Sequence, residues 1–132
     1  MFKKILHIGI AVTSLKESIK RFEDLGLTCE GREEVASEGV RVAFFPVGES
    51  RLELLEATSP DSAVARFIEK RGPGVHHICL QTEDLSKRID ELKSKGFQFT
   101  GDPIKGAHGV SAAFIHPKSL GGVMVEIAEG GY

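Results

Sequence analysis

The sequence predicts an α+β fold: two tandem βαβββ modules whose strands form an open, cupped, barrel-like sheet. Two observations lead there. First, the chain repeats itself. At an offset of 70 residues, LHIGIAVTSLKESIKRFEDLGL lies over HHICLQTEDLSKRIDELKSKGF, so that His7 meets His77, Leu15 meets Leu85, Ile19 meets Ile89 and Gly26 meets Gly96. The same offset sets Ala43-Phe44 on Ala113-Phe114. An offset of 73 sets Leu52-Glu53-Leu54 on Val125-Glu126-Ile127, the three extra residues falling in HPKSLGG (116–122). A fixed period of this kind marks a duplicated supersecondary unit. Second, each copy reads as a strand, a helix and three more strands.

In the first copy, Leu6–Val12 is the opening strand. Ser14 and Glu17 have the S-x-x-E spacing of a capping box. Leu15, Ile19 and Phe22 recur at helical intervals, and Gly26 suits the left-handed residue past a helix end. Strands are expected near Thr28–Arg32, Val40–Val47 and Arg51–Glu56. In the second copy the opening strand is Val75–Gln81, Asp84 is the N-cap, Leu85, Ile89 and Leu92 form the helical stripe, and Gly96 closes it. Strands follow near Gln98–Thr100, Ser111–Ile115 and Val123–Ala128. Between the copies, Ser59 as N-cap, Pro60 at the first helical position and Gly72 as the stop predict a connecting helix, with Val64, Phe67 and Ile68 on its apolar face. The expected layout is one domain over 1–132: module 1 at about 4–57, the connecting helix at about 59–72 and module 2 at about 75–129.

Composition narrows the function. At 132 residues, 41% hydrophobic, the chain has enough length for a core of ordinary domain size. Seventeen basic against nineteen acidic residues give a formal charge of −2, which provides no electrostatic footprint for nucleic acid and no polybasic membrane anchor. No apolar stretch is long enough to span a bilayer. The N-terminus, MFKKILHIGIAV, reads as a strand and not as a signal peptide. Cys29 and Cys79 cannot make a disulfide framework, so a cytoplasmic chain with reduced thiols is expected.

Four polar residues then stand out. Strands alternate faces with period two. His7 lies between Leu6 and Ile8, Glu53 between Leu52 and Leu54, and Glu126 between Val125 and Ile127; His77 precedes Ile78. The apolar flanks should pack under helices, leaving a His or Glu on the other face in each case. The repeat pairs them as His–Glu and His–Glu, and a pseudo-two-fold arrangement would bring all four together. Neighbouring ionised carboxylates need a cation or a shared proton. Two neutral imidazoles and two carboxylates suit a divalent metal ion. Four protein ligands with room for two waters favour a six-coordinate catalytic ion over a closed structural zinc site.

These residues sit in stretches that resemble the vicinal oxygen chelate superfamily, with its glyoxalase fold, and within it the methylmalonyl-CoA epimerase family. The resemblance runs through HIGIAV (7–12), GVRVAFFPVG (39–48), LELLEATSPDS (52–62), FIEKRGPGVHHICL (67–80), GAHG (106–109) and HPKSLGGVMVEI (116–127). It implies metal ligands at His7, Glu53, His77 and Glu126, the second being glutamine in some members. Retaining a ligand at Glu53 argues against the related extradiol-type dioxygenases. The implied cofactor is a divalent ion, Co²⁺ favoured, with Zn²⁺, Ni²⁺ or Mn²⁺ as alternatives. The implied substrate is a small CoA thioester, the implied reaction the interconversion of (R)- and (S)-methylmalonyl-CoA, and the implied assembly a homodimer.

Epimerisation needs a proton removed at C2 and returned on the opposite face. Glu126 is the first candidate base. Some family members carry a Glu at the position of Val42, and valine transfers no proton. Glu38, four residues back on the same nominal strand face, and His108 in GAHG are then the candidates for the second group, with a metal-bound water as the other source. Lys118 and Ser119 in HPKS, and Cys79 on the face of His77, are candidate substrate contacts. Arg41, Lys105 and Lys3-Lys4 can be read as reaching CoA phosphates, or as ordinary surface charge. Two other functions fit the same pattern: a glyoxalase I-type lactoylglutathione lyase, and a non-catalytic small-molecule binding protein.

Overall fold

The computed structural model describes residues 2–131. They group into two compact units, residues 7–76 and residues 2–6 with 77–131.

The first unit holds β1 (Ile5–Ala11, whose first two residues group with the other unit), α1 (Leu15–Leu25), β2 (Gly31–Val35), β3 (Val40–Val47), β4 (Ser50–Ala57) and α2 (Ala63–Arg71). Its strand order is β2-β3-β4-β1, antiparallel except for the parallel β1–β4 pair. The α1 N-terminus is built as its sequence predicts: the Ser14 hydroxyl accepts from the Glu17 N–H at 3.2 Å. Gly26, at φ +119°, donates its N–H to the last-turn carbonyls. Leu15 and Ile19 of α1 bury against Ala43 and Phe45 of β3 and Leu54 of β4, with Phe22, Leu27 and Leu52 at the margin. One face of β3 and of β4 is thereby committed to the helix.

The second unit holds β5 (Gly74–Thr82, whose first three residues group with the first unit), α3 (Leu85–Ser94), β6 (Ile104–Lys105), β7 (Ser111–Ile115) and β8 (Val125–Glu129). Its order is β5-β8-β7-β6, with β5 and β8 parallel. The Asp84 carboxylate accepts from the Lys87 N–H to start α3. Leu85 and Ile89 cover Ala113, Ile115 and Ile127, with Leu80, Leu92 and Phe99 beside them. A smaller cluster joins Leu6, Cys79, Ala112 and Ala128. The N-terminal segment is tied to β5 by Lys3 N–H to Gln81 O and Gln81 N–H to Lys4 O.

Both copies therefore have the βαβββ order read from the repeat. Three elements move. β2 begins at Gly31 and not at Thr28, because its register is set by β3: Gly31 pairs with Phe44 and Val35 with Val40, across the turn Ala36–Glu38. Gln98–Thr100 makes a single bridge, Phe99 to Ile115, and the last edge strand is Ile104–Lys105. Pro103, which has no N–H to donate, interrupts the ladder between them. The connecting helix starts after Ser62, whose hydroxyl accepts from the Ala65 N–H at 3.1 Å. Ser59 instead closes the preceding turn, accepting from the Asp61 N–H. That turn lies against Gly39. A Cβ there would come within 3.0 Å of Ser62 Cβ, and the backbone is left-handed at φ +64°, so both space and conformation require glycine.

Candidate functional site

Each module buries one histidine and one glutamate side by side. In the first, His7 comes from β1 and Glu53 from β4, the strands that pair in parallel. His7 Nδ1 lies 3.2 Å from Glu53 Oε2. In the second, His77 comes from β5 and Glu126 from β8, again a parallel pair, and His77 Nε2 lies 3.0 Å from Glu126 Oε1. All four residues are buried, with exposures of 4–8%. The repeat thus predicts both pairs correctly, down to the strands that supply them. Alternation is the reason: Leu52 and Leu54 turn to α1, so Glu53 turns away from it.

Paired carboxylate and imidazole groups in such depth are held by mutual hydrogen bonding, since an isolated buried charge is costly. The same separations suit metal binding. Two cis ligands each about 2.1 Å from one ion are about 3.0 Å apart. His7, His77 and Glu126 each offer a buried ligand atom, and the donor set of imidazole nitrogen and carboxylate oxygen is that of a divalent ion.

An aromatic ring stands across the sheet from each glutamate. Phe44 pairs with Glu53, and Phe114 with Glu126. The Phe114 ring meets His77 edge-on, centroids 5.3 Å apart, and fixes the plane of that imidazole. The Arg51 guanidinium lies over Phe44 at 4.8 Å and shares the strand face of Glu53. These flanking groups escaped the sequence reading, although the Ala-Phe dipeptide repeated at the offset of 70 is their signature.

The other candidates are placed as follows. Glu38 is not on the face of β3: it closes the turn Ala36–Glu38, because the chain must reverse there to pair β2 with β3. His108 is exposed in the turn Ala107–Gly109, at φ 59° and ψ 18°. Lys118 is exposed, its N–H held by His116 Nδ1 at 3.1 Å. The Ser119 hydroxyl accepts from the Gln98 N–H at 2.9 Å, which ties the loop before β8 to the segment after α3. Cys79 is fully buried among Leu6, Ala112 and Ala128. Of the basic groups, Arg41 bonds Glu56 at 3.0 Å, Lys3 bonds Glu83 at 2.9 Å and Lys105 bonds Ser111. Lys3 holds the Glu83 carboxyl below its ordinary range by hydrogen bonding and charge.

The strand order and the two parallel His–Glu pairs define the class. Residues 6–114 match the family described as the Glyoxalase/Bleomycin resistance protein/Dioxygenase superfamily, and the chain belongs to it, with the glyoxalase fold. More particular likenesses lie within that class. The human mitochondrial methylmalonyl-CoA epimerase is 33% identical over 129 residues, covering 96% of this chain and 73% of that protein. A Bacillus subtilis (strain 168) protein named YqjC and described as uncharacterized is 42% identical over 125 residues, covering 93% of this chain and 89% of that one. A variant of Streptomyces coelicolor methylmalonyl-CoA epimerase, solved in complex with 2-nitronate-propionyl-CoA, is 33% identical with a TM-score of 0.94, covering 98% of this chain and 96% of that one.

Proposed function

We propose that this protein interconverts the (R) and (S) forms of methylmalonyl-CoA, using one divalent ion held by His7, Glu53, His77 and Glu126. The observation that carries the proposal is the pair of buried His–Glu couples at matched strand positions. Relatives named methylmalonyl-CoA epimerase, similar over nearly the whole chain, support it.

The C2 proton of the substrate lies between a thioester carbonyl and a carboxylate, so its removal places negative charge on the thioester oxygen. A divalent ion, when bound, supplies Lewis acidity toward that oxygen. The chain's own groups do the rest. His7 Nδ1 lies beside Glu53 Oε2 and His77 Nε2 beside Glu126 Oε1, so each pair would offer one nitrogen and one oxygen to the ion. The Phe114 edge keeps His77 from turning. Glu126 accepts the C2 proton from one enantiomer and, in the reverse direction, delivers a proton to that same face; the opposite face needs a second group. Phe44 and Phe114 keep the surroundings apolar, which strengthens every electrostatic contact made there.

The test is enantiomer exchange in D₂O with added Co²⁺, Ni²⁺ or Zn²⁺, alongside lactoylglutathione formation. The expected result is deuterium entry at C2 of methylmalonyl-CoA with racemisation, abolished by chelation, and no lactoylglutathione. Glu126→Gln should keep the ion and lose at least about 100-fold in rate. An ion-free protein indifferent to chelators would defeat the proposal.

A further inference from the structure

We infer that Glu33 is the proton-transfer group that the first module contributes, an assignment that rests on the epimerase reading above. Inverting a carbon with one acidic hydrogen takes two groups, one for each face of the planar intermediate. Glu126 belongs to the second module. The first module has to supply a different carboxylate or imidazole on the sheet face that carries Glu53.

The register identifies it. Gly31 of β2, Phe44 of β3 and Glu53 of β4 form one cross-strand row, and Glu33, Val42 and Leu55 form the next. Residues in one row share a face. Among the described residues of β2, β3 and β4, Glu33 and Glu53 are the acidic residues on that face. The opposite face holds Glu34 and Glu56, both tied to Arg41, at 3.7 and 3.0 Å. Burial follows the same alternation: Gly31 and Glu33 are half-buried, Arg32 and Glu34 exposed. Val42, directly across from Glu33, has no ionisable group.

The spacing sets Glu33 apart from the ligand at Glu53. Two strand separations and one two-residue step put the Glu33 and Glu53 Cα atoms roughly 12 Å apart. Side chains on one face stand roughly perpendicular to the sheet, so the two carboxylates keep about that separation. Two ligands of one ion lie about 3 Å apart, so Glu33 stands outside the ligand set while facing the same side of the sheet.

The experiment follows C2 deuterium incorporation and enantiomer conversion separately, starting from pure (R)- and pure (S)-methylmalonyl-CoA, with Co²⁺ binding measured by calorimetry. For Glu33→Gln the expected result is a loss of about 100-fold or more in conversion, with exchange retained from one enantiomer and Co²⁺ affinity unchanged. Val42→Glu in that background returns a carboxylate to the same row and should recover conversion. Glu34→Gln, on the outer face, should stay within about threefold of wild type. Conversion by Glu33→Gln within that same range, equal loss of exchange from both enantiomers, or loss of Co²⁺ would overturn the assignment. If Glu33→Gln does not fold, Glu33→Asp decides: slower conversion with exchange retained from one enantiomer supports the assignment, and an unchanged rate overturns it. A wild-type protein that neither exchanges nor converts would remove the epimerase reading itself, before any variant is compared.

Discussion

Replacing Glu53 by leucine should uncouple the metal from the stability of the fold. A ligand that binds only the folded state stabilises it by RT ln(1 + [L]/Kd), about 2.7 kcal/mol at about 100 times Kd. For 132 residues, an unfolding entropy of about 2.1 cal/mol/K per residue gives about 0.28 kcal/mol per degree. Saturating Co²⁺ should therefore raise the wild-type Tm by about 10 °C. Loss of partners one shell further out already costs about 10–100-fold in metal affinity, so loss of a direct ligand is set at the upper end. A 100-fold weaker site at the same ion concentration leaves about 0.4 kcal/mol, or about 1.5 °C. Glu53→Gln keeps a ligating oxygen and should keep most of the shift. The assay is differential scanning calorimetry of wild type, Glu53→Leu and Glu53→Gln, each after chelation and after Co²⁺ addition. A full shift surviving in Glu53→Leu would show that the ion binds without this carboxylate, and the reasoning from paired donors would fail.

Phe45 is fully buried and lies 5.8 Å, ring to ring, from Phe22. Phe45→Ala should cost about 3–5 kcal/mol, or about 10–18 °C in Tm, while leaving the metal-induced shift in place. Lys3→Met should raise the Glu83 carboxyl toward its ordinary range, followed by NMR titration, since the Lys3 contact is what lowers it. A carboxyl lowered in the folded state stabilises above its unfolded pKa and loses that contribution as pH falls through the folded value. Both side chains are exposed, so the change should appear in the titration and not in the acid-unfolding midpoint.

Much of the fold was legible because two signals reinforced each other. Helix α1 was fixed at both ends, by Ser14 with Glu17 and by Gly26, and the repeat then located α3 by the same signs. The strands that faltered are edge strands. β2, GREEV, is mostly polar, and its position follows from pairing with β3 and not from its own pattern. The helix start shifted for a related reason: SPDS contains two good N-caps three residues apart, and contact with Gly39 selects between them. The His–Glu pairs were legible because duplication separated them from the background of single polar residues. Glu33, the group proposed above for proton transfer, carries no signal of its own in the sequence, because the position of β2 follows from its pairing with β3. Glu38 falls in the turn Ala36–Glu38 for the same reason.

The division of each strand between two tasks explains why the site can be changed without dismantling the fold. On β3 and β4 of the first module, Ala43, Phe45, Leu52 and Leu54 serve α1, and Phe44 and Glu53 occupy the other face. In the second module, Ala113, Ile115 and Ile127 serve α3, and Phe114 and Glu126 oppose them. A slip of one residue in register would exchange the two sets, driving glutamates beneath a helix and leucines out of it, so the apolar layer itself enforces the position of every polar group on the other face. A single module offers one imidazole and one carboxylate, too few donors to hold a divalent ion against water. On the function proposed above, copying the module would double the donors without inventing a new strand position. On the same proposed reading, Glu33 marks a difference between the two copies: at the offset of 70 its place is taken by Pro103, just before the edge strand Ile104–Lys105.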